Sequence, residues 1–119
     1  MPLVDLPTLK AHLRVDHGDD DNLISVYGAA AEVSAAEYLG RVVHPTGTTL
    51  PVEGDTGYDP DAIVVTPAII VAVMKLCASM YEGREAIGSG DAVFPADVRA
   101  LLAPWRVWRL MEEDDPADA

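Results

Sequence analysis

The sequence predicts an all-α fold: a small bundle of about four helices, with a long irregular loop or small hairpin over residues 41–65 and an extended C-terminal arm. Three observations carry this. Apolar residues recur at helical spacing in four separate stretches. Cap-forming residues and prolines stand where those stretches begin, and Gly40 stands where the longest one ends. The one region dense in both Pro and Gly, residues 41–61, lies between the second and third stretches. The chain has 119 residues, half of them apolar and few of them aromatic, which suits one domain with a modest core of closely packed helices.

The first helix opens at Asp5, a good N-cap, with Pro7 in its first turn. Leu6, Leu9 and Leu13 share a face, and the helix should end near Val15. The polar break Asp16-His17-Gly18-Asp19-Asp20-Asp21-Asn22 follows. Its carboxylates suit the positive end of the next helix, expected from about Asp20 to Leu39. There Leu23, Tyr27, Ala30, Ser34 and Tyr38 form one stripe, and Ile24, Ala31, Ala35 and Leu39 its neighbour. The combined face is wide and rich in small residues, which would let another backbone come close. Gly40 ends the helix. Between Arg41 and Asp61, Pro45, Gly47, Pro51, Gly54, Gly57 and Pro60 exclude a helix. Thr48-Thr49-Leu50 and Ile63-Val64-Val65 are β-prone.

Thr66 caps a third helix, with Pro67 at its first position, running to Tyr81 or Glu82. It is apolar almost all round, so it should be buried on every side, partly against a neighbouring subunit. Gly83 to Asp91 reads as a loop. Pro95 opens a short fourth helix with Val98, Leu101, Leu102 and Trp105 on one face, and Pro104 should end it at Ala103. Residues 1–103 then form the helical domain, and residues 104–119 an arm with an acidic tail.

The charge balance, 8 basic against 20 acidic residues and a net charge of −12, excludes a protein that wraps a nucleic-acid backbone. It favours solubility and docking onto basic partners. Cys77 is the single cysteine and lies in an apolar stretch, so a buried structural thiol is expected. No signal peptide is read at the N-terminus, and the run Pro67 to Met74 is too short to span a bilayer, so no membrane is expected.

Chemistry is poorly supplied. His12, Asp16, His17, Asp19, Asp20 and Asp21 are possible metal ligands, but their order does not match a calcium loop, and a solvated turn is the better reading. The acidic stretch Glu53 to Asp61 fails the same test. The serines sit in no nucleophile elbow, and the glycines form no phosphate cradle. No catalytic residue, metal or cofactor is expected. The segment Trp105-Arg106-Val107-Trp108-Arg109 is different, because Trp and Arg are the residues most enriched at binding hot spots.

Several stretches together resemble phage head-tail connector (adaptor) proteins. They are Leu9-Lys10-Ala11-His12-Leu13-Arg14-Val15-Asp16, then Asp21-Asn22-Leu23-Ile24, Ala36-Glu37-Tyr38-Leu39-Gly40-Arg41, Tyr81-Glu82-Gly83-Arg84-Glu85, Phe94-Pro95-Ala96-Asp97-Val98, and Ala100 to Trp108. The resemblance covers about residues 5–43 and 66–109. It implies a non-enzymatic subunit of a dodecameric ring below the portal in the virion neck, present in the host cytoplasm during assembly. Its implied partners are further copies of itself, the portal protein, and neck, stopper or tail proteins, with DNA passing through the lumen. It also implies a portal-docking arm, here Pro104, Trp105, Arg106, Val107, Trp108, Arg109 and Leu110. Candidates for the ring interface are Tyr27, Ala31, Ala35, Tyr38, Arg84 and Glu85. The alternative is an acidic inhibitor that mimics DNA and occupies a nucleic-acid enzyme.

Overall fold

The computed structural model describes residues 2–83 and 95–107. In chain order they form α1 (Leu6–Leu13), α2 (Asp21–Leu39), β1 (Val43–His44), β2 (Ile63–Val64), α3 (Pro67–Glu82), α4 (Ala96–Leu102) and a 3-10 turn (Ala103–Trp105). The fold is mostly helical, as the sequence predicts.

The caps form at the expected residues. The Asp5 carboxylate accepts the Thr8 amide at 3.0 Å, and the Thr66 hydroxyl accepts the Ile69 amide at 3.2 Å. Each satisfies one of the N–H groups that a helix start leaves unpaired. α1 stops at Leu13 because Arg14 turns into the left-handed region at φ 62°. Its amide donates back to the Ala11 carbonyl, and that of Val15 to Lys10, which closes the helix end. Asp20 precedes α2 without capping it through its side chain. Its carboxylate instead accepts the Tyr81 hydroxyl, joining the start of α2 to the end of α3. Lys10 and Asp21 form an ion pair at 2.7 Å that ties α1 to the same corner.

α3 is the central helix and packs against α1, α2 and α4. Ile69, Ala72, Val73, Leu76 and Cys77 are its buried residues. From α2 come Ile24, Gly28, Ala31, Ala35 and Leu39, and from α4 Val98 and Leu102. α1 crosses α2 at Gly28, where a Cβ would lie 2.7 Å from the Leu9 side chain. Burial without a polar partner for the charged form pushes the Cys77 thiol above its ordinary value.

Ile70, Val71, Met74 and Met80 of α3 are half-buried, and only Pro67, Ser79 and Glu82 of this helix are exposed. Of the irregular loop or small hairpin expected over residues 41–65, the loop is what forms. The β-prone stretch Thr48-Thr49-Leu50 is not a strand, so no hairpin forms. β2 pairs instead with β1, and the pair is parallel, Val43 opposite Ile63 and His44 opposite Val64. Parallel strands cannot be joined by a tight turn and need a long crossover. The loop between His44 and Ile63 is that crossover, and residues 51–60 are all exposed.

Candidate docking surface

The candidate docking surface lies at the C-terminal end of α2. Gly40 ends this helix in the left-handed conformation, φ 72°, and the chain turns into Arg41. The Arg41 side chain then reaches two segments distant in sequence. Its Nε donates to the Asp61 carbonyl at 2.5 Å and its Nη1 to the Trp105 carbonyl at 2.8 Å. One guanidinium thus joins the base of the long loop to the chain leaving α4. The fixed fork of an Arg side chain can do this; a lysine ammonium has no such geometry.

The root of the arm is held at two further points. The Val107 amide donates to the Leu39 carbonyl at 2.8 Å, satisfying an end group of α2. The Arg106 guanidinium lies over the Tyr38 ring, 4.3 Å from its centroid. Such a cation–π contact contributes about 0.5–1 kcal/mol at an exposed site. Trp105 is partly buried and packs against the core.

Extended backbone starts at Arg106, two residues into the arm expected from residue 104. Pro104 was expected to push Ala103 out of helical geometry, but Ala103 stays helical at φ −54° and ψ −41°. The chain tightens there into a 3-10 turn closed by the Arg106 amide on the Ala103 carbonyl. Of the seven arm residues, Pro104 to Val107 are therefore placed beside α2. Trp108, Arg109 and Leu110 lie outside the described residues, as do Arg84 and Glu85 of the candidate ring interface.

The other ring-interface candidates divide. Tyr27 and Tyr38 are half-buried, with Tyr38 engaged by Arg106. Ala31 and Ala35 are 0% and 1% exposed and packed in the chain's own core. These two offer a neighbouring copy no surface. Their small size serves the close approach of α2 to α3 within one chain. The small-residue stripe was read correctly as permitting a close neighbour, but the neighbour is internal.

The exposed apolar surface lies on the other side of α2. Val26 and Val33 are each 57% exposed and Val42 is 51% exposed, with exposed Ala29 and Ala30 between the first two. Beyond Val33 this face becomes a shallow groove of about 550 Å³, lined by Val33, Ala36, Glu37, Gly40, Val42 and Asp59 among others. Of the two apolar stripes read from the sequence, that of Ile24, Ala31, Ala35 and Leu39 is the buried one, and Ala30 of the other lies on this exposed face.

No group of three or more His, Cys, Asp or Glu is placed to hold a metal ion among the described residues. Asp20 and Asp21, two of the possible ligands, are engaged by Tyr81 and Lys10. None of the described helices is long and apolar enough to cross a membrane.

A family model described as phage gp6-like head-tail connector protein matches residues 4–106. The chain belongs to this family. Neither a curated protein nor a solved structure matches it. Membership makes the chain a structural component of the virion that works with other head and tail proteins. The match runs from the first core residue, Val4, through the bundle to Arg106, and so includes the segment after α4 that Arg41 holds.

Proposed function

We propose that this connector assembles as a dodecameric ring below the portal, joins head to tail, and lets DNA pass through its lumen. The observation that carries the reading is the family match over the whole bundle and the arm root. Pro104 to Leu110 form the portal-docking arm. Arg41, Leu39 and Tyr38 hold its first residues at a fixed place and direction. Trp108, Arg109 and Leu110, which follow this root in sequence, are the contact residues for the portal, with the aromatic and cationic character of a hot spot.

Neighbouring copies meet on the outer face of α2, at Val26, Ala29 and Ala30. This face replaces Ala31 and Ala35 in the ring interface, and Tyr27 flanks it. An apolar strip on an otherwise strongly acidic subunit is where association removes surface from water without bringing carboxylates together. The net charge of −12 suits a lumen that DNA slides through, since like charges do not adhere. The acidic-inhibitor alternative gains nothing from the structure.

The arm assignment is tested by pull-down with the portal protein of the same virion. A chain ending at Val107 keeps the Arg41 clamp and the Leu39 bond. It should fold as the full chain does and fail to bind the portal. Normal binding by that chain would remove the arm from the portal contact.

A further inference from the structure

We propose that Glu32 and residues 2–4 form a charge mask: the backbone of this segment takes up the Glu32 carboxylate and so lets a second copy of the chain meet the outer face of α2. The mask rests on the reading that copies meet at Val26, Ala29 and Ala30, and it supplies the positioning residue that such a contact needs.

The constraint is charge. With 20 acidic against 8 basic residues, two copies repel, and a contact has to form where no bare carboxylate is buried. Between Asp21 and Glu37, Glu32 is the only charged side chain of α2. It follows Ala29 by three residues, the spacing of neighbours on a helix surface, and so borders the contact. The two other carboxylates of the helix lie further off. Asp21 is paired with Lys10 before the contact begins. Glu37 is seven residues beyond Ala30, about 10 Å along the axis.

Glu32 is not bare. Its Oε2 accepts the Leu3 amide at 2.7 Å and the Val4 amide at 3.2 Å. Successive backbone N–H groups converging on one oxygen make an anion-binding concavity, and hydrogen bonds to an ionised acceptor are the strong ones. A carboxylate already held in this way loses less on leaving water than a free one. The segment that supplies the amides is itself fixed, because Val4 is buried in the core and Leu3 packs against it. Pro2, Val4, Ala29 and Glu32 line one hollow between this segment, α1 and α2, so the mask adjoins the contact face. Asp5, next along the chain, has its carboxylate on the Thr8 amide of α1.

The test has two readouts. Hydrogen exchange of the full chain at low concentration reads the mask by itself. The Leu3 and Val4 amides should be protected in the wild type, and Glu32→Ala should speed their exchange about tenfold. Wild-type amides that exchange as fast as those of Glu32→Ala would overturn the proposal.

Native mass spectrometry with the portal protein present reads assembly. Leu3→Pro removes the shorter of the two donors and leaves the carboxylate in place, so the ring should be lost. Glu32→Gln has no charge to mask and should keep the ring. Combining Leu3→Pro with Glu32→Gln should restore it, because the need for the donor has gone. A ring that survives Leu3→Pro would overturn the proposal. So would equal loss in Leu3→Pro and in the double variant, since the segment would then serve only the fold. Ala30→Glu is the control for the contact itself. Rings that form with Ala30→Glu remove the α2 face from the contact, whereas rings lost in Ala30→Glu but kept in Leu3→Pro leave that reading standing and end this one.

Discussion

Replacing Arg41 by alanine should uncouple three parts of the molecule at once. The guanidinium donates one hydrogen bond to the Asp61 carbonyl and one to that of Trp105. A hydrogen bond involving a charged group contributes about 1.5–3 kcal/mol net, so the pair sets an upper bound of about 3–6 kcal/mol. The site is only part-buried, and water replaces part of what is lost. The expected cost is about 2–3 kcal/mol. With a urea dependence of about 1–2 kcal/mol/M for a chain this small, the unfolding midpoint should fall by about 1.5 M. Hydrogen exchange gives the local readout. The Val107 amide, bonded to Leu39, and the Val65 amide, bonded to His44, should both lose protection, because one anchor holds both segments. Arg41→Lys keeps the charge but not the two-pronged geometry, and should fall between wild type and Arg41→Ala. A midpoint within about 0.3 M of wild type, with unchanged protection at Val107, would show that the arm root and the loop base hold without the clamp.

Ala31→Leu should destabilise the subunit by about 1–3 kcal/mol through overpacking, whereas Ala30→Glu should leave stability within about 0.5 kcal/mol and weaken ring formation. Urea unfolding and light scattering separate the two effects. Thr66→Ala removes the cap of α3 and should cost about 1 kcal/mol in the same unfolding measurement. The hydrogen bond from Lys75 is the main cause that holds the Asp97 carboxyl below its ordinary value. Its contribution is therefore present at neutral pH and is lost as pH falls through the lowered value. Asp97→Asn should show a smaller loss of stability on acidification than wild type, seen as a smaller drop in the unfolding midpoint between neutral pH and pH ~3. Cys77, fully buried with a raised thiol, should resist a thiol reagent in the native chain and react once the chain is unfolded in urea.

Much of the fold was legible because its signals are local. Asp5, Thr66 and Pro67 announce helix starts within a few residues of where they act, and Gly40 a helix end. What the sequence left open depends on contacts between distant residues. Two adjacent stripes on α2 were both apolar enough to face the core, and the choice fell to Ile24, Ala31, Ala35 and Leu39, with Gly28 admitting Leu9 of α1. A pairing of Val43 with Ile63 across a long crossover leaves no mark in either short strand. Arg41 reads as an ordinary loop cation, since its two acceptors are backbone carbonyls 20 and 64 residues away. Trp105 and Arg106 stand out by composition, but the bond of Val107 to Leu39 and the seating of Arg106 on Tyr38 leave no such mark.

The central claim is that the connector forms a ring on the portal. It is tested most directly by native mass spectrometry of the full 12.7 kDa chain, alone and mixed with the portal protein of the same virion. The account predicts a twelve-copy species, by itself or bound to the portal, that is absent when Val26 and Ala30 are both replaced by glutamate. A chain that stays monomeric at every concentration and ignores the portal would contradict it.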